Sequence, residues 1–339
     1  MTAFTIAAQT PKQLAGVTIS NTGRLFINFP RWVDVPTPSV AEVAADGSLV
    51  PYPNAEINEW DLAPGDSAAN HFVCVQSVVA DGDTLWILDP ASPMFAAVVP
   101  GGAKLVQVSL TTNTVERIYL FDDAAAPVQS YLNDVRIAFG SAFMSDSGLG
   151  AIVVLNLATG KVRRLLEHHP STKAEPGLDV IIGGREWKFS SNHQTPQVHT
   201  DGIAIDPQSE YVYYKALTGR TLYRVPIAAL LDESAPPDHF VERVAVTEPT
   251  DGLEFDAAGN LYLTSLQDNA IKILRPDGRY ETFATAPEFL WPDTITMTQD
   301  GVLLFSASQF HRMPLFHDNI DQRTPPYHVF RLDTPHPPA

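Results

Sequence analysis

The 339-residue sequence contains a single cysteine, Cys74, which lies in the apolar stretch HFVCVQSVV. One thiol cannot form an intrachain disulfide or a thiolate-rich metal site. Basic residues are also scarce, with 22 Lys and Arg against 39 Asp and Glu and a net charge of −17. Because the chain has no basic surplus to neutralise phosphates, we expect it not to bind nucleic acid or an anionic membrane surface.

Long hydrophobic runs are missing too, since no apolar segment approaches the roughly 18 to 20 residues that cross a bilayer. The N-terminal residues MTAFTIAAQTPKQ contain no basic segment followed by an apolar core, as a secretory signal would. We therefore expect a soluble protein, cytoplasmic as the sequence stands and periplasmic or secreted if a signal peptide has been removed. A small molecule is the expected partner, and the sequence leaves the oligomeric state open.

One hairpin pattern recurs six times along the chain. Each copy has a strand of about five residues, a polar turn that usually contains glycine, and a second strand rich in aromatic and aliphatic residues. The copies begin at Gly16, Cys74, Asn133, Asp201, Asp251 and Pro292. Further strand pairs follow most copies, so the unit is about four strands repeated at roughly 40 to 70 residues, which is typical of a propeller blade. We predict an all-β, six-bladed β-propeller that forms one domain over residues 1–339, with FTIAAQ closing the ring against YHVFRLD.

Acidic and amide side chains stand just before the innermost strand of several copies. In a propeller this position lies at the mouth of the central channel, so side chains from different blades would point toward one axis. The residues at this position are Gln76, Asn133 with its neighbour Asp134, Asp201, Asp251 and Asp293. The alternative is that each Asp or Asn only accepts backbone N–H bonds and shapes the turn before the strand.

Carboxylates that converge on one place raise one another's pKa unless a cation or a proton intervenes. Oxygen ligands suit a hard divalent ion, most readily Ca²⁺, with Mg²⁺ or Mn²⁺ as alternatives. We therefore predict a cation site formed by Asn133, Asp201 and Asp251. Gln76 and Asp293 are predicted to contact a ligand beside it.

Four further residues are candidates for the site. His199 lies two residues before Asp201, so on a strand it would face the same way and could act as a general base or proton shuttle. It could equally be a loop histidine bonded to solvent. Tyr131 and Trp291 could form the apolar walls of a cleft or simply pack under a loop, and Arg312 could orient a ligand or form a salt bridge. Substrate specificity is expected from long loops such as residues 175–197.

Much of the chain resembles the yellow / major royal jelly protein family, in its bacterial, dopachrome-tautomerase-related branch. The segments that carry the resemblance include GRLFINFPRW, VQSVVADGDTLWILD, LNDVRIAFGSAFMSDSG and WPDTITMTQDGVLLFSASQFHRM. The resemblance implies a six-bladed propeller, and it implies either dopachrome-type conversion or binding of biogenic amines. Insect relatives contain disulfides, from which the lone Cys74 departs.

A more distant likeness is to the gluconolactonase and regucalcin propellers, in which a Glu, two Asn and an Asp hold a divalent cation and the Asp serves as base. The segment TDGLEFDAAGNLY resembles the blade that bears this Asp, which would be Asp251. By the same likeness Asp201 replaces one Asn and Asn133 matches the other. The first-blade Glu has no counterpart near Gly16.

Two functions from different classes follow from these residues. The first is a small-molecule enzyme at the channel mouth, carrying out lactone hydrolysis or a tautomerisation or isomerisation assisted by a divalent cation, with Asp251 or His199 moving protons. The second is a non-catalytic protein that binds a small metabolite such as a biogenic amine. A purely partner-binding propeller is a third possibility, although no residue specifies it.

Overall fold

Six antiparallel sheets of four strands make up the computed structural model, which describes residues 3–33, 38–60, 67–298 and 300–334. The innermost strand of each sheet contacts the innermost strand of the next sheet, and the contact between the sixth and the first closes the ring. This arrangement is a six-bladed β-propeller, which confirms the predicted fold.

The strands of the blades run outward from the central channel. The first blade contains β2 (Val17–Ile19), β3 (Leu25–Asn28), β4 (Val40–Val43) and β5 (Leu49–Pro51). The second contains β6 (Ser77–Asp81), β7 (Thr84–Asp89), β8 (Lys104–Ser109) and β9 (Thr114–Leu120). The third contains β10 (Leu132–Ala138), β11 (Ser141–Asp146), β12 (Ala151–Asn156) and β13 (Val162–Leu165).

The remaining blades follow the same order. The fourth contains β16 (Thr200–Ile205), β17 (Tyr211–Ala216), β18 (Thr221–Pro226) and β19 (Glu242–Val246). The fifth contains β20 (Leu253–Phe255), β21 (Leu261–Ser265), β22 (Ala270–Leu274) and β23 (Tyr280–Thr285). The sixth contains β24 (Pro292–Met297), β25 (Val302–Ala307), β26 (Tyr327–Asp333) and the N-terminal strand β1 (Phe4–Thr10).

Strand β1 pairs antiparallel with β26, from Phe4 opposite Leu332 to Thr10 opposite Tyr327. The sixth blade therefore joins the two ends of the chain. A two-stranded hairpin, β14 (Ile181–Ile182) and β15 (Arg185–Glu186), is inserted between the third and fourth blades. Across the described residues, helical structure is limited to the short α-helices and 3₁₀ turns Ala55–Asn58, Pro93–Phe95, Pro170–Thr172, Ile227–Leu231, Pro237–Phe240, Phe310–Arg312 and Pro314–Phe316. Within the described residues, no helix has the length and hydrophobicity to span a bilayer.

The core lies between the blades, because each sheet packs on a neighbour on both faces. Every residue of β11 and of β25 is buried, so these second strands are largely apolar rather than alternating. One apolar cluster between the second and third blades includes Trp86, Leu105 and Met144. This packing explains why the second strand of each hairpin repeat is the most hydrophobic.

The inner strands are irregular where they reach the channel mouth. Their pairing with the second strand shifts register between Leu132 and Val135, between Thr200 and Ile203, and between Pro292 and Ile295. Hydroxyl groups of the second strands accept hydrogen bonds from the backbone N–H groups that the register shifts leave unpaired. Ser145 Oγ, for example, accepts a hydrogen bond from Asp134 N at 3.1 Å. Such bulges bend the strand and re-aim its side chains.

Two glycines explain why Asp-Gly recurs before the inner strands. A Cβ atom at Gly202 would lie 2.2 Å from the Asp251 carbonyl oxygen, and one at Gly252 would lie 2.3 Å from the Asp293 carbonyl oxygen. Only glycine permits such a close approach of backbone to backbone. The glycines therefore allow three successive blades to bring their aspartates together at the axis.

Candidate functional site

One mouth of the central channel opens into a cavity of about 650 Å³. Its base, which we call the acidic floor, consists of Asn133, Asp201, Asp251 and Asp293. Its sides, which we call the aromatic wall, consist of Trp32, Phe95, Tyr131, Trp187, Phe189, Trp291 and Phe310. A cavity of this size, mostly apolar with a few convergent polar groups, is typical of a small-molecule site.

Asp251 is fixed by a tryptophan of the next blade. The indole Nε1–H of Trp291 donates a hydrogen bond to Asp251 Oδ2 at 2.8 Å. Trp291 is 1 % exposed and has a left-handed backbone with φ of 57°. Burial raises the pKa of Asp251 to about 6, although the bond from Trp291 opposes the rise.

Asp201 lies against Asp251 and against an amide. Asn133 Nδ2 donates to Asp201 Oδ2 at 2.9 Å and to Ser147 Oγ at 3.1 Å. The pKa of Asp201 is raised well above its ordinary value, first by burial and then by the charge of Asp251 and the hydrogen bond with it. The two carboxyl groups therefore titrate as a pair, in which Asp201 is the weaker acid.

Asp293 adds a third buried carboxyl group, 4 % exposed, to the floor. Burial and the nearby charge of Asp251 raise its pKa. Carboxyl groups that raise one another's pKa in this way are not all ionised at neutral pH. The floor therefore combines a carboxylate that can accept a proton with carboxylic acids that can donate one.

A chain of hydrogen bonds links two residues of the wall to Gln76, which also lines the cavity. Trp32 Nε1–H donates to the Tyr131 hydroxyl at 2.9 Å, and that hydroxyl donates to Gln76 Oε1 at 2.8 Å. Burial raises the pKa of Tyr131 well above its ordinary value, so the phenol stays neutral. The rings of Trp32 and Trp291 lie 4.8 and 5.0 Å from that of Phe310, which makes the wall one continuous aromatic surface.

The structure brings most of the predicted site residues into this cavity but leaves His199 and Arg312 outside it. His199 Nδ1 accepts the Ala174 N–H at 2.9 Å, and burial, followed by the charge of Lys173, lowers its pKa. The expectation that it faces the same way as Asp201 fails because the bulge after Thr200 breaks the alternation of the strand. Arg312 Nη1 donates to Thr324 Oγ1 at 3.2 Å beside a second, smaller cavity.

Much of the aromatic wall was not predicted from the sequence. Phe95, Trp187 and Phe310 come from loops and short 3₁₀ turns between strands, where no hairpin pattern marks a position. The only signal was the length of the loop over residues 175–197, which supplies Trp187 and Phe189.

Below the floor the channel narrows to a chamber of about 10 Å³, the space of one water, lined in part by Ser77 and Asp134. Ser77 Oγ donates to Asp134 Oδ1 at 2.7 Å, and Arg136 Nη1 donates to Asp134 Oδ2 at 2.8 Å. Arg136 Nη2 lies 3.7 Å from Glu254, at the opposite mouth of the channel. Asn133 and Asp134 thus both line the channel, at different depths, and Arg136 lies between the two mouths.

The donor atoms of the floor are all oxygen or amide groups, and their chemistry fits a hard divalent cation. Asn133, Asp201 and Asp251 would be its ligands, with both carboxyl groups ionised. The described part of the chain contains no group of three or more His, Cys, Asp or Glu side chains arranged to hold a metal. The floor instead holds two carboxyl groups, Asp201 and Asp251, that influence each other's ionisation.

The fold and the site define a propeller with a small-molecule cavity over its central channel. The sequence model of the major royal jelly protein family matches residues 74–324. The chain therefore belongs to the major royal jelly protein family. A comparison with curated proteins gave no match.

Solved structures share the fold along the whole chain. A gluconolactonase of Xanthomonas campestris is 12 % identical, with a TM-score of 0.59 over 98 % of this chain and 89 % of that one. Regucalcin, a calcium-binding protein of Agrobacterium tumefaciens, is 16 % identical, with a TM-score of 0.56 over 98 % and 95 %. Virginiamycin B lyase of Staphylococcus aureus is 12 % identical, with a TM-score of 0.56 over 98 % and 100 %. At this identity the likeness concerns the fold.

Proposed function

We propose that this protein is an enzyme that moves a proton within a small, flat substrate, that is, a tautomerase or isomerase. The observation that carries the proposal is the contact between Asp201 and Asp251, whose environments raise their pKa values by different amounts. Two neighbouring carboxyl groups with unequal pKa values are suited to the roles of acid and base.

In the proposed reaction Asp251, as carboxylate, accepts a proton from a carbon atom next to a carbonyl group of the substrate. Asp201, which holds a proton, donates it to the carbonyl oxygen, so that an enol forms as the C–H bond breaks. Asp251 then returns its proton to a different carbon atom of the substrate while the enol O–H gives its proton back to Asp201. Both carboxyl groups are restored, and the isomerisation needs no oxidant or reductant. Trp291 holds the carboxylate of Asp251 in place throughout.

The aromatic wall supports a flat, weakly polar substrate. Rings such as Trp32, Phe95 and Phe310, with centroids 4.8 to 6.0 Å apart, offer stacking surfaces but no hydrogen-bond acceptors. A polyhydroxylated sugar lactone would need polar groups at these positions. A cyclic enone or a quinone-like ring, the class to which dopachrome belongs, satisfies both the wall and the floor.

A divalent cation, with Ca²⁺ ahead of Mg²⁺ and Mn²⁺, is the alternative to the proton on Asp201. Held by Asn133, Asp201 and Asp251, it would polarise the carbonyl oxygen of the substrate. What supports this alternative is the oxygen-rich donor set of the floor and the likeness to a calcium-binding regucalcin fold.

The test is a panel of dopachrome, cyclic enones and lactones, each with and without a chelator; lactones are included because one structural neighbour is a gluconolactonase. We expect isomerisation of an enone-type substrate and a loss of about 100- to 10,000-fold in turnover for Asp251→Asn. The matched control is Asp277→Asn, which removes an exposed carboxylate of an outer turn. Turnover that persists in Asp251→Asn would contradict the proposal, and the chelator arm decides the cation.

A second candidate function is binding without turnover. The aromatic wall above a partly ionised floor is also suited to a cationic aromatic amine, which would stack on rings and pair with Asp251. This candidate is favoured if aromatic amines bind saturably, if Asp251→Asn weakens that binding, and if no member of the panel is converted.

A further inference from the structure

A second cavity, of about 190 Å³, lies beside the aromatic one. It is bounded by the β14–β15 hairpin and by the segment that follows Phe310. Four basic side chains line it, namely Arg185, His311, Arg312 and His317. We call it the basic cavity, and it is unusual in a chain whose net charge is −17.

The two arginines of the basic cavity have no acidic partner. In the described part of the chain, no ion pair joins a carboxylate to Arg185 or to Arg312. Their hydrogen bonds go to neutral groups instead, from Arg185 Nη1 to His317 Nδ1 and from Arg312 Nη1 to Thr324 Oγ1, both at 3.2 Å. Among the described residues, the acid that lines the cavity is Glu186. Its Oε2 forms an ion pair with Lys188 Nζ at 2.7 Å.

The two histidines of the cavity are held by a hydrogen-bond chain and by ring stacking. His317 accepts from Arg185 through Nδ1, and its Nε2–H donates to the carbonyl oxygen of His311 at 3.0 Å. His311 stacks on Trp291 with 6.0 Å between ring centroids. Burial, followed by the charges of Arg312 and His317, lowers the pKa of His311 to about 3.

His311 also offers an unused polar atom. Its Nδ1 is buried and has no hydrogen-bond partner among the residues that the structure describes. Buried polar atoms are nearly always paired, so an orphan at the edge of a cavity indicates a missing partner. A neutral imidazole can carry its hydrogen on Nδ1, where it would serve as a donor.

We propose that the basic cavity binds a small oxyanion, a carboxylate or a phosphate group, between Arg185 and Arg312. Guanidinium groups present several N–H donors in a planar fork that matches the paired oxygens of such anions. His311 Nδ1 is buried in this conformation, so it would supply a further hydrogen bond after its ring rotates toward the anion. The cavity is large enough for a phosphate ion and too small for a nucleotide.

The anion could be free, or it could be a substituent of the molecule in the aromatic cavity. The two cavities share Trp187, and Phe310 of the aromatic wall directly precedes His311. The binding site itself does not depend on the proposed reaction, because none of its residues belongs to the acidic floor.

The site is tested by titrating the protein with inorganic phosphate at low ionic strength and measuring the heat of binding by calorimetry. We expect saturable binding of one phosphate per chain, weakened about tenfold by Arg185→Gln and again by Arg312→Gln, since each removes a charge-assisted contact. The control is Arg279→Gln, an equal change of charge at an exposed arginine of an outer turn. Circular dichroism verifies that each variant is folded. Weak, unsaturable binding that is the same in all four proteins would overturn the proposal.

The source of the anion is decided with a pair of matched aromatic probes, indole-3-acetate and its neutral amide. If the anion is a substituent of the ligand, indole-3-acetate binds more tightly than its amide, and phosphate competes with indole-3-acetate but not with the amide. If the anion is free, phosphate binds and leaves the affinity of both probes unchanged. Absence of phosphate binding, with equal affinity of the two probes in wild type and in Arg312→Gln, would overturn both versions.

Discussion

Replacing Trp291 by Phe removes the indole N–H group that stabilises the charged form of Asp251, to whose Oδ2 it donates a hydrogen bond of 2.8 Å. A hydrogen bond to a charged group contributes about 1.5 to 3 kcal/mol, which corresponds to about 1 to 2 units of pKa. Because this bond lowers the pKa of Asp251, its loss raises that pKa from about 6 to about 7 or 8. The ionised fraction of Asp251 at about pH 7 then falls from about nine-tenths to between one-half and one-tenth.

The assay is the pH dependence of kcat/KM for the substrate found in the panel. If Asp251 is the base, kcat/KM of Trp291→Phe at about pH 7 falls about two- to tenfold and recovers toward the wild-type value at about pH 9. Trp187→Phe is the matched control, because Trp187 lines the same cavity and its indole N–H has no partner among the described residues. Equal profiles for the two variants, or a loss independent of pH, would refute the role assigned to Trp291.

Three further predictions concern stability. The pKa of Asp251 is raised to about 6, so near this pH the native protein binds more protons than the unfolded chain. The protonated Asp251 therefore contributes to the free energy of unfolding at low pH, and this contribution is lost as the pH rises through about 6. In urea titrations, the free energy of unfolding of Asp251→Asn should therefore rise by up to about 3 kcal/mol relative to that of wild type between about pH 4 and pH 8. A difference between the two proteins that does not change with pH would contradict the raised pKa. Gly252→Ala should cost about 2 kcal/mol or more in the same titrations, since its Cβ would lie 2.3 Å from the Asp293 carbonyl oxygen, and a neutral effect would show that the blades can separate there. Lys104→Met should lower the free energy of unfolding by about 3 to 5 kcal/mol, because it leaves the buried Asp89, 3.1 Å away, without its cation. The double variant with Asp89→Asn should recover part of that loss.

The fold could be predicted because its information is local and repeated. Each hairpin carries its own alternation and its own turn residues, and six copies leave little choice of architecture. The acids of the floor could be located for the same reason, because Asp201 and Asp251 occupy equivalent positions in equivalent hairpins.

The parts that sequence reasoning missed depend on contacts between blades. His199 was expected to face the floor by strict alternation, but the bulge after Thr200 turns it toward Ala174. Gly202 and Gly252 do indicate contacts between blades, since the glycine after the aspartate in two copies marks a close approach of one backbone to the next rather than a turn. The aromatic wall could not be predicted because the course of its loops is set by packing over the cavity.

The central claim is that Asp201 and Asp251 share one proton at neutral pH. The most direct measurement is the pH titration of ¹³C carboxyl resonances in protein labelled at aspartate, with assignment by Asp201→Asn and Asp251→Asn. We expect one resonance to titrate near about pH 6 and its partner well above the ordinary range of aspartate. The pKa of Asp201 should move down in Asp251→Asn, because the charge of Asp251 and its hydrogen bond raise that pKa. Two carboxyl groups that titrate independently near about pH 4 would contradict the claim.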